Sequence, residues 1–550
     1  MDFKTLTNLT RFKDILIILI KYGFEDLVER LELPTGLIKK IHRTSRPDLD
    51  TYERIRCALE DLGPTFVKFG QIMSLRPDLL PEPLIRELSK LQDDVEPEES
   101  GEIRGVLDEN LGRPLEEVFS IFDAEPVAAA SLSQVHRAVL REEGLIVSLK
   151  IQRPGIYHKI QTDLDILESI AVRLHHRSEE LQAYDLPDLV RVTRRNLLRE
   201  LDFKREARYM TIARFNLAEA AEISIPRVYD RYCTPHLLVM EFIQGSRLRD
   251  LDTQRLEDPE GLAKQGLRAA IKQILEDGFF HADPHPGNLL ITSGGGLCLL
   301  DWGLVGRLTD SDRFELIDLL RSLMDRDTKG MVGILLSVTS GGGDTDPRAL
   351  EREILELLDF YFTVPLKSFN LGELLLQITG LIRDYRLRMP PDFVIMAKAL
   401  VTAEGTARKI YPDLNIMSEA EEYVRKLAGE RYRPSTLFRN LRSSLTQTFF
   451  LHRHLPRHVA RIFNKIDQGQ LSLRFEHQNL DALQKTLENI FSRLTFGIII
   501  AAMIIGSSMI ITTGMGPLFL GLPVLGIVGY LISALIGLWL IFNMIRSRKY

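Results

Sequence analysis

His281-Ala282-Asp283-Pro284-His285-Pro286-Gly287-Asn288, followed by Asp301-Trp302-Gly303, decides how this 550-residue chain is read. An H-x-D is followed by an Asn five residues after the Asp, and a D-x-G opens thirteen residues after that Asn. Phosphoryl transfer needs this order of groups. Asp301 and Asn288 can hold Mg²⁺ against phosphates, and Asp283 faces the γ-phosphate and positions the nucleophile. A lone D-x-G is weak evidence. Here the apolar run Leu297-Cys298-Leu299-Leu300 feeds the second Asp as a strand would, and the ordered pair is specific.

Working outward, a strand ending in Lys is expected upstream, and Val147-Ser148-Leu149-Lys150 supplies one. A strand-borne ammonium reaches the α- and β-phosphates and needs an acidic partner on the next helix. That helix runs Arg199-Glu200-Leu201-Asp202-Phe203-Lys204-Arg205-Glu206. As one continuous helix it pairs Glu200 with Lys204 favourably and stacks Asp202 on Glu206 repulsively. One of these two stacked acids is the expected partner of Lys150, and Glu206 is our choice. Ahead of Lys150, Ala128-Ala129-Ala130-Ser131 stands where a glycine-rich phosphate cover would be. Ala largely forbids the positive φ that Gly allows, so a stiffer nucleotide loop is expected. Val239-Met240-Glu241-Phe242 runs from strand to turn and suits a hinge whose backbone at Glu241 reads adenine. Lys68-Phe69-Gly70-Gln71, with Ser74, Arg76 and Asp78, puts polar groups on an apolar helix. Taken alone, it is a helix with a solvent face.

The pattern of elements is an α+β, bilobal, protein-kinase-like fold, with an N-terminal helical extension and a C-terminal two-helix transmembrane hairpin. The boundaries expected are 1–125 for the helical region, 126–243 and 244–430 for the two lobes, 431–493 for a juxtamembrane segment and 494–543 for the hairpin. Strands are expected at 133–140, 145–151, 226–232 and 237–242, and long helices at 160–175 and 189–210. Leu494 to Thr513 and Leu518 to Phe542 are uncharged runs. Each is long enough to cross a hydrocarbon core of about 30 Å as a helix of about 20 residues. Gly514-Met515-Gly516-Pro517 breaks the chain between them, and Gly521, Gly526, Gly529 and Gly537 allow close helix contact. Arg493, Arg546, Arg548 and Lys549 put positive charge at both outer ends, which places both ends in the cytoplasm. His452, His454 and His458 lie among arginines in a basic segment suited to lipid headgroups. The run Ile15 to Ile20 is too short for a signal peptide and is expected to be a buried helix face.

A chain this long needs more than one core. A net charge of -6 gives no basic field for nucleic acid. Cys57, Cys233 and Cys298 are scattered, with no metal or disulfide spacing.

Together these motifs resemble the UbiB family of atypical kinases, also called aarF-domain or ADCK/COQ8-like proteins, in its bacterial branch with a C-terminal membrane hairpin. The resemblance rests on K-x-G-Q at Lys68, Gly70 and Gln71, the Ala-rich loop Ala128 to Ser131, Lys150, E-x-D at Glu200 and Asp202, and His281 to Asn288 with Asp301. Ser148-Leu149 and Leu132-Ser133 depart from the family's usual residues at those places. The likeness implies that ATP or ADP binds with Mg²⁺, and that Lys68 and Gln71 enter the active site near Glu200 and Asp202. It implies an ATPase of the bacterial inner membrane, multi-pass, with its catalytic domain on the cytoplasmic side. Such an enzyme would support ubiquinone or related prenyl quinone biosynthesis, with membrane lipids, prenyl quinone precursors and other quinone-biosynthesis proteins as partners. The alternatives are a true protein or small-lipid kinase, and a nucleotide-binding scaffold.

Overall fold

The computed structural model describes residues 3–31, 49–74, 80–91, 97–177, 185–220, 222–251, 256–341, 345–363, 370–385, 387–431, 480–513, 517–519 and 522–546. The chain divides into two compact units, Met1–Arg439 and Asn440–Tyr550.

In the first unit, alternation makes the sheet that carries Lys150. Strands β1 (Phe119–Phe122), β2 (Ala128–Ala129), β3 (Ser133–Leu140), β4 (Ile146–Gln152) and, later in the chain, Leu237–Glu241 form one antiparallel sheet. Its order is β1, β3, β4, Leu237–Glu241, with β2 beside β3. Val147, Leu149 and Ile151 are fully buried on one face. The strand period of two therefore sends Lys150 to the other face. In register, Lys150 lies between Val135 and Leu238.

The second lobe begins with strand β5 (Ile223–Ser224), and the Leu237–Glu241 strand is β6. Strands β7 (Gly245–Arg247), β8 (Phe279–His281), β9 (Leu289–Thr292), β10 (Leu297–Leu299) and β11 (Val305–Arg307) follow. One small sheet runs β5-β10-β9-β7, and β8 pairs with β11. Both halves of the opening motif sit in strand-to-strand connections: residues 281–288 between β8 and β9, Asp301 between β10 and β11. A π-helical turn, Gln273–Asp277, precedes β8, and its Gln273 Oε1 accepts from the His281 N–H at 3.0 Å. Around this packs an apolar helical layer that includes Pro259–Lys272, Asp310–Met324, Leu371–Asp384 and Pro391–Ile410.

The N-terminal helices form their own core. Ile15, Leu16 and Ile20 are buried with Leu62, Phe66, Ile166 and Ile170, as the apolar run implied. Arg11 donates to the buried Asp163 carboxylate at 2.6 Å and to the Leu62 carbonyl at 2.7 Å. This ties the extension to the helix Ile156–Arg177.

Two expectations are corrected. The run at 189–210 is two helices, Leu186–Glu200 and Phe203–Asn216, because Asp202 leaves the helix and caps the second one by accepting from Lys204 N–H at 3.1 Å. The strand expected at 226–232 is a single bridge, Val228 to Met240, and a short 3₁₀ turn at Asp230–Tyr232.

In the second unit, Leu480–Thr513 and Val524–Arg546 are helices that pair with each other. Ser507 lies against Gly529 and Phe496 against Trp539, so the two run antiparallel. One of them is long and apolar enough to cross a membrane, at Leu494–Thr513, with a mean hydropathy of 2.4. The second helix has a shorter apolar stretch, Ile527–Trp539, and the first residues of the expected run, Leu518–Phe519 and Leu522–Pro523, form a small strand pair instead. The Gly514–Gly516 breaker, the histidines at 452, 454 and 458, and Arg548 and Lys549 lie outside the described residues.

Glu404 closes the helical layer. Its carboxylate accepts from the N–H groups of Leu371 and Gly372, both at 3.1 Å, at the start of the preceding helix. Burial pushes its pKa up to about 7 from an ordinary 4.5. The folded protein thus holds a proton over a range where the unfolded chain has released it. That contribution to stability is full below pH 4.5 and is lost as the pH rises through about 7. Glu404→Gln should flatten this part of the stability curve, read from Tm in a series of buffers; an unchanged slope would contradict the assignment.

Candidate active site

The site grows from the helix break at Leu201-Asp202. On one uninterrupted helix, residues six apart point roughly 120° away from each other. The break instead brings both Glu200, the last residue of its helix, and Glu206, in the first turn of the next, to the cleft. Glu206 Oε1 and Oε2 accept from Lys150 Nζ at 2.8 and 2.9 Å. Lys150 also pairs with Asp301 Oδ1 at 3.2 Å and lies over the Phe203 ring. Glu200 pairs with Lys68 at 2.6 Å. Two ammonium groups and three carboxylates thus form one cluster.

Burial alone would neutralise such groups. For Lys150, burial lowers the pKa, but Asp301 and Glu206 outweigh it, and Lys150 stays charged with its pKa raised. For Asp301, burial works upward, yet Lys150 and then Lys68 hold it well below the usual carboxylate range. Glu206 is 3% exposed, and its burial pushes it up to about 7 against the pull of Lys150. The Asp301 side chain is about half exposed by surface area (48%). It is open to a ligand on one side and neutralised on the other.

Asp301 has φ 44°, a left-handed conformation that Asp tolerates better than most residues. Gly303 N–H donates to its Oδ1 at 3.1 Å. A Cβ at Gly303 would stand 3.1 Å from that same oxygen and 3.7 Å from Glu200, so Gly303 leaves room for the cluster. Behind it, Trp302 is fully buried, stacks on Phe279 and lies tilted against His281.

The loop from His281 to Asn288 is held on both sides. His281 Nδ1 accepts from the Asp283 N–H at 3.1 Å, so its Nε2–H donates to the Leu300 carbonyl at 3.0 Å. Burial lowers the His281 pKa and keeps that neutral tautomer. Asn288 Nδ2 donates to the Asp283 carbonyl at 3.2 Å, leaving its amide oxygen as acceptor, and the Leu300 N–H donates to the Asn288 carbonyl at 2.8 Å. From the helical layer, Thr406 Oγ1 donates to the Pro284 carbonyl at 3.1 Å.

A hard divalent cation such as Mg²⁺ takes one or two carboxylate or amide oxygens from the protein and completes its shell with phosphate and water. The Asp301 carboxylate and the Asn288 amide oxygen fit that donor set. Among the described residues no cluster of three or more acids, histidines or cysteines could hold a metal without a phosphate ligand.

Around this centre, Ala128 and Ala129 pair with Val135 and Gln134, and Ala130 N–H donates to the Ser133 carbonyl. Ser131 is buried, and its hydroxyl has no hydrogen-bond partner among the described residues. The Glu241 N–H donates to the Arg227 carbonyl at 2.8 Å, and its carboxylate lies 3.7 Å from Arg214. Asp202 is spent on capping its helix. Gln71 is turned to the backbone, with Nε2 donating to the Leu91 carbonyl at 3.1 Å, whereas Lys68 from the same helix, Pro64–Ser74, joins the charge cluster. Gly70 lets that helix seat, because a Cβ there would fall 2.4 Å from Leu91 and 3.0 Å from Leu59.

Sequence reasoning missed Arg153. Its Nε donates to the Ala130 carbonyl at 2.8 Å and its Nη1 to Glu98 at 2.5 Å, so it clamps the Ala-rich loop. Its place just past the strand Lys, at the end of β4, was the only signal in the sequence. Arg153→Ala should cost about 1–2 kcal/mol of stability by leaving a part-buried carbonyl and a carboxylate without their donor. Urea unfolding measures this; a loss near zero would show the clamp to be idle.

Three family models match the chain: the ABC1 atypical kinase-like domain over residues 90–335, the UbiB helical domain over 354–415, and the ABC1/UbiB kinase-like C-terminal domain over 478–546. A Clostridium pasteurianum protein, named only as uncharacterized in the hydrogenase 1 5' region, is 32% identical over 98% of this chain and 99% of its own. The probable protein kinase UbiB of Pseudomonas fluorescens SBW25 is 33% identical over 78% of this chain and 83% of its own. That of Cellvibrio japonicus is 32% identical over 85% and 86%. A solved structure, the complex of Rv3197 with erythromycin from Mycobacterium tuberculosis, aligns with 64% of this chain and 90% of its own at 21% identity and a TM-score of 0.46.

Proposed function

From the premise that this chain belongs to the ABC1/UbiB family of atypical kinase-like proteins, we propose that it is a Mg²⁺-dependent ATPase of the bacterial inner membrane. Its role is to support ubiquinone or related prenyl quinone biosynthesis by coupling hydrolysis to the handling of lipid precursors. The observation that carries the proposal is the Lys150–Glu206–Asp301 cluster with Lys68 pinned to Glu200 beside it.

Each residue has a defined task in that reading. Lys150, oriented by Glu206, meets the α- and β-phosphates. Asp301 and the Asn288 amide oxygen would hold Mg²⁺, which neutralises phosphate charge when bound. Asp283 orients the attacking hydroxyl of water. Ala128 to Ser131 cover the phosphates, and the backbone that follows Glu241 faces adenine. Lys68, paired with Glu200 and acting on Asp301, adds a cation from the N-terminal extension beside the metal-binding carboxylate, and in this reading water or a small lipid hydroxyl is the acceptor in preference to a protein side chain. Leu494–Thr513, with the helix that follows it, supplies the membrane tether, and the catalytic unit lies on the cytoplasmic side.

The experiment is phosphate release from ATP by the full chain in liposomes, with and without Mg²⁺ and a prenyl phenol. Asp301→Asn should reduce release by about 100-fold or more, and the phenol should stimulate the wild type. Equal hydrolysis by Asp301→Asn would overturn the metal assignment.

A further inference from the structure

The catalytic loop has a charge problem. Transfer of the γ-phosphoryl group gathers negative charge on its equatorial oxygens. Asp283 adds its own beside them, yet residues 281–288 contain no Lys or Arg. Lys150 is engaged by Glu206 and Asp301, and Lys68 by Glu200. A third ammonium comes from the helical layer and is acted on by the Asp283 carboxylate. Lys398 is borne by the helix Pro391–Ile410, two turns before the Thr406 that bonds the loop at Pro284.

Lys398 Nζ donates to the Ser74 hydroxyl at 2.9 Å and to the Ser74 carbonyl at 3.1 Å. The Ser74 hydroxyl in turn donates to the Gln71 carbonyl at 2.7 Å. These partners are neutral, and among the described residues Lys398 makes no ion pair. Burial lowers its pKa to about 8, and the one carboxylate acting on it is Asp283, which works in the opposite direction. A buried ammonium is costly unless something compensates it. Holding it with neutral oxygens, within the field of the Asp that faces the phosphate, leaves its charge available for an anion that arrives with the nucleotide.

We propose that Lys398 is the cation that faces the phosphoryl group in transit beside Asp283, held in place by Ser74 at the end of the K-x-G-Q helix. This rests on the reading that the site hydrolyses ATP. In that step the oxygen of water bonds to the γ-phosphorus as the bond to the β,γ-bridging oxygen breaks. ADP leaves with that electron pair, and the proton of water passes by way of Asp283 to the released phosphate. Lys398 remains protonated throughout and offsets charge on the γ-oxygens. Through Ser74, the same residue makes the K-x-G-Q helix and the helical layer parts of one site.

The test uses the full chain in liposomes, measuring kcat for phosphate release, the affinity for a fluorescent ATP analogue, and Tm. Lys398→Met should reduce kcat by about 100-fold, with nucleotide affinity nearly unchanged, and Lys398→Arg should restore part of the rate. A wild-type kcat in Lys398→Met, or a loss carried by nucleotide affinity alone, would overturn the proposal. Should Lys398→Met not fold, Ser74→Ala decides: it should lower kcat several-fold at unchanged affinity, and an unchanged kcat overturns the proposal. A wild-type chain that releases no phosphate would sink the ATPase reading, and this inference with it. Full hydrolysis by both wild type and Lys398→Met would sink this inference alone.

Discussion

The buried contact between Lys150 and Glu206 is the constraint on which the rest of the site depends. An ammonium and a carboxylate withdrawn from water are tolerated only when geometry and neighbouring hydrogen bonds compensate their desolvation. Here the compensation comes from three parts of the chain. Strand β4 delivers Lys150 on its cleft-facing side, the helix break at Asp202 turns Glu206 inward, and the turn after β10 presents Asp301 in a left-handed conformation. Removing Lys150 would leave Glu206 buried without a counterpart, and removing Glu206 would leave Lys150 with Asp301 alone. The cluster therefore ties the sheet that carries Lys150 to the turn that carries Asp301.

A second layer of contacts holds the loop from His281 to Asn288 from behind. His281 bridges the loop to the segment before Asp301, and Trp302 fills the space beneath. Thr406 and Lys398 approach from the helical layer, with Lys398 reaching Ser74 of the K-x-G-Q helix. The N-terminal extension is thus packed into the site. Its Lys68 neutralises Glu200, its Gln71 holds the Leu91 backbone, and its Gly70 permits the close seating that both contacts require.

Much of this was legible in the sequence because several decisive groups sit in short local motifs. The spacing of Asp283, Asn288 and Asp301, and the position of Lys150 at the end of a β-patterned run, gave the two-lobed α+β fold and the choice of Glu206. Other features escaped because they depend on long-range packing. The break at Leu201-Asp202 was hidden, since Glu, Asp, Lys and Arg all fit a helical pattern, and capping by Asp202 emerges only with the backbone in place. Arg153 and Lys398 look like ordinary surface cations until the fold sets them against Ala130 and Ser74. Gln71 was placed in the active site by family likeness, and its hydrogen bond turns it toward Leu91. The C-terminal runs were read by hydropathy alone. That criterion holds for Leu494–Thr513, while the second run gives up its first residues to a short strand pair.

The central claim is that the γ-phosphate of ATP passes to water at this cluster. The most direct test follows radiolabelled γ-phosphate from ATP through a reaction of the full chain in liposomes containing a prenyl phenol, with the label separated into free phosphate, lipid and protein. We predict that nearly all of it appears as free phosphate. Label accumulating on lipid or protein in step with ADP would contradict hydrolysis and make the chain a transferase.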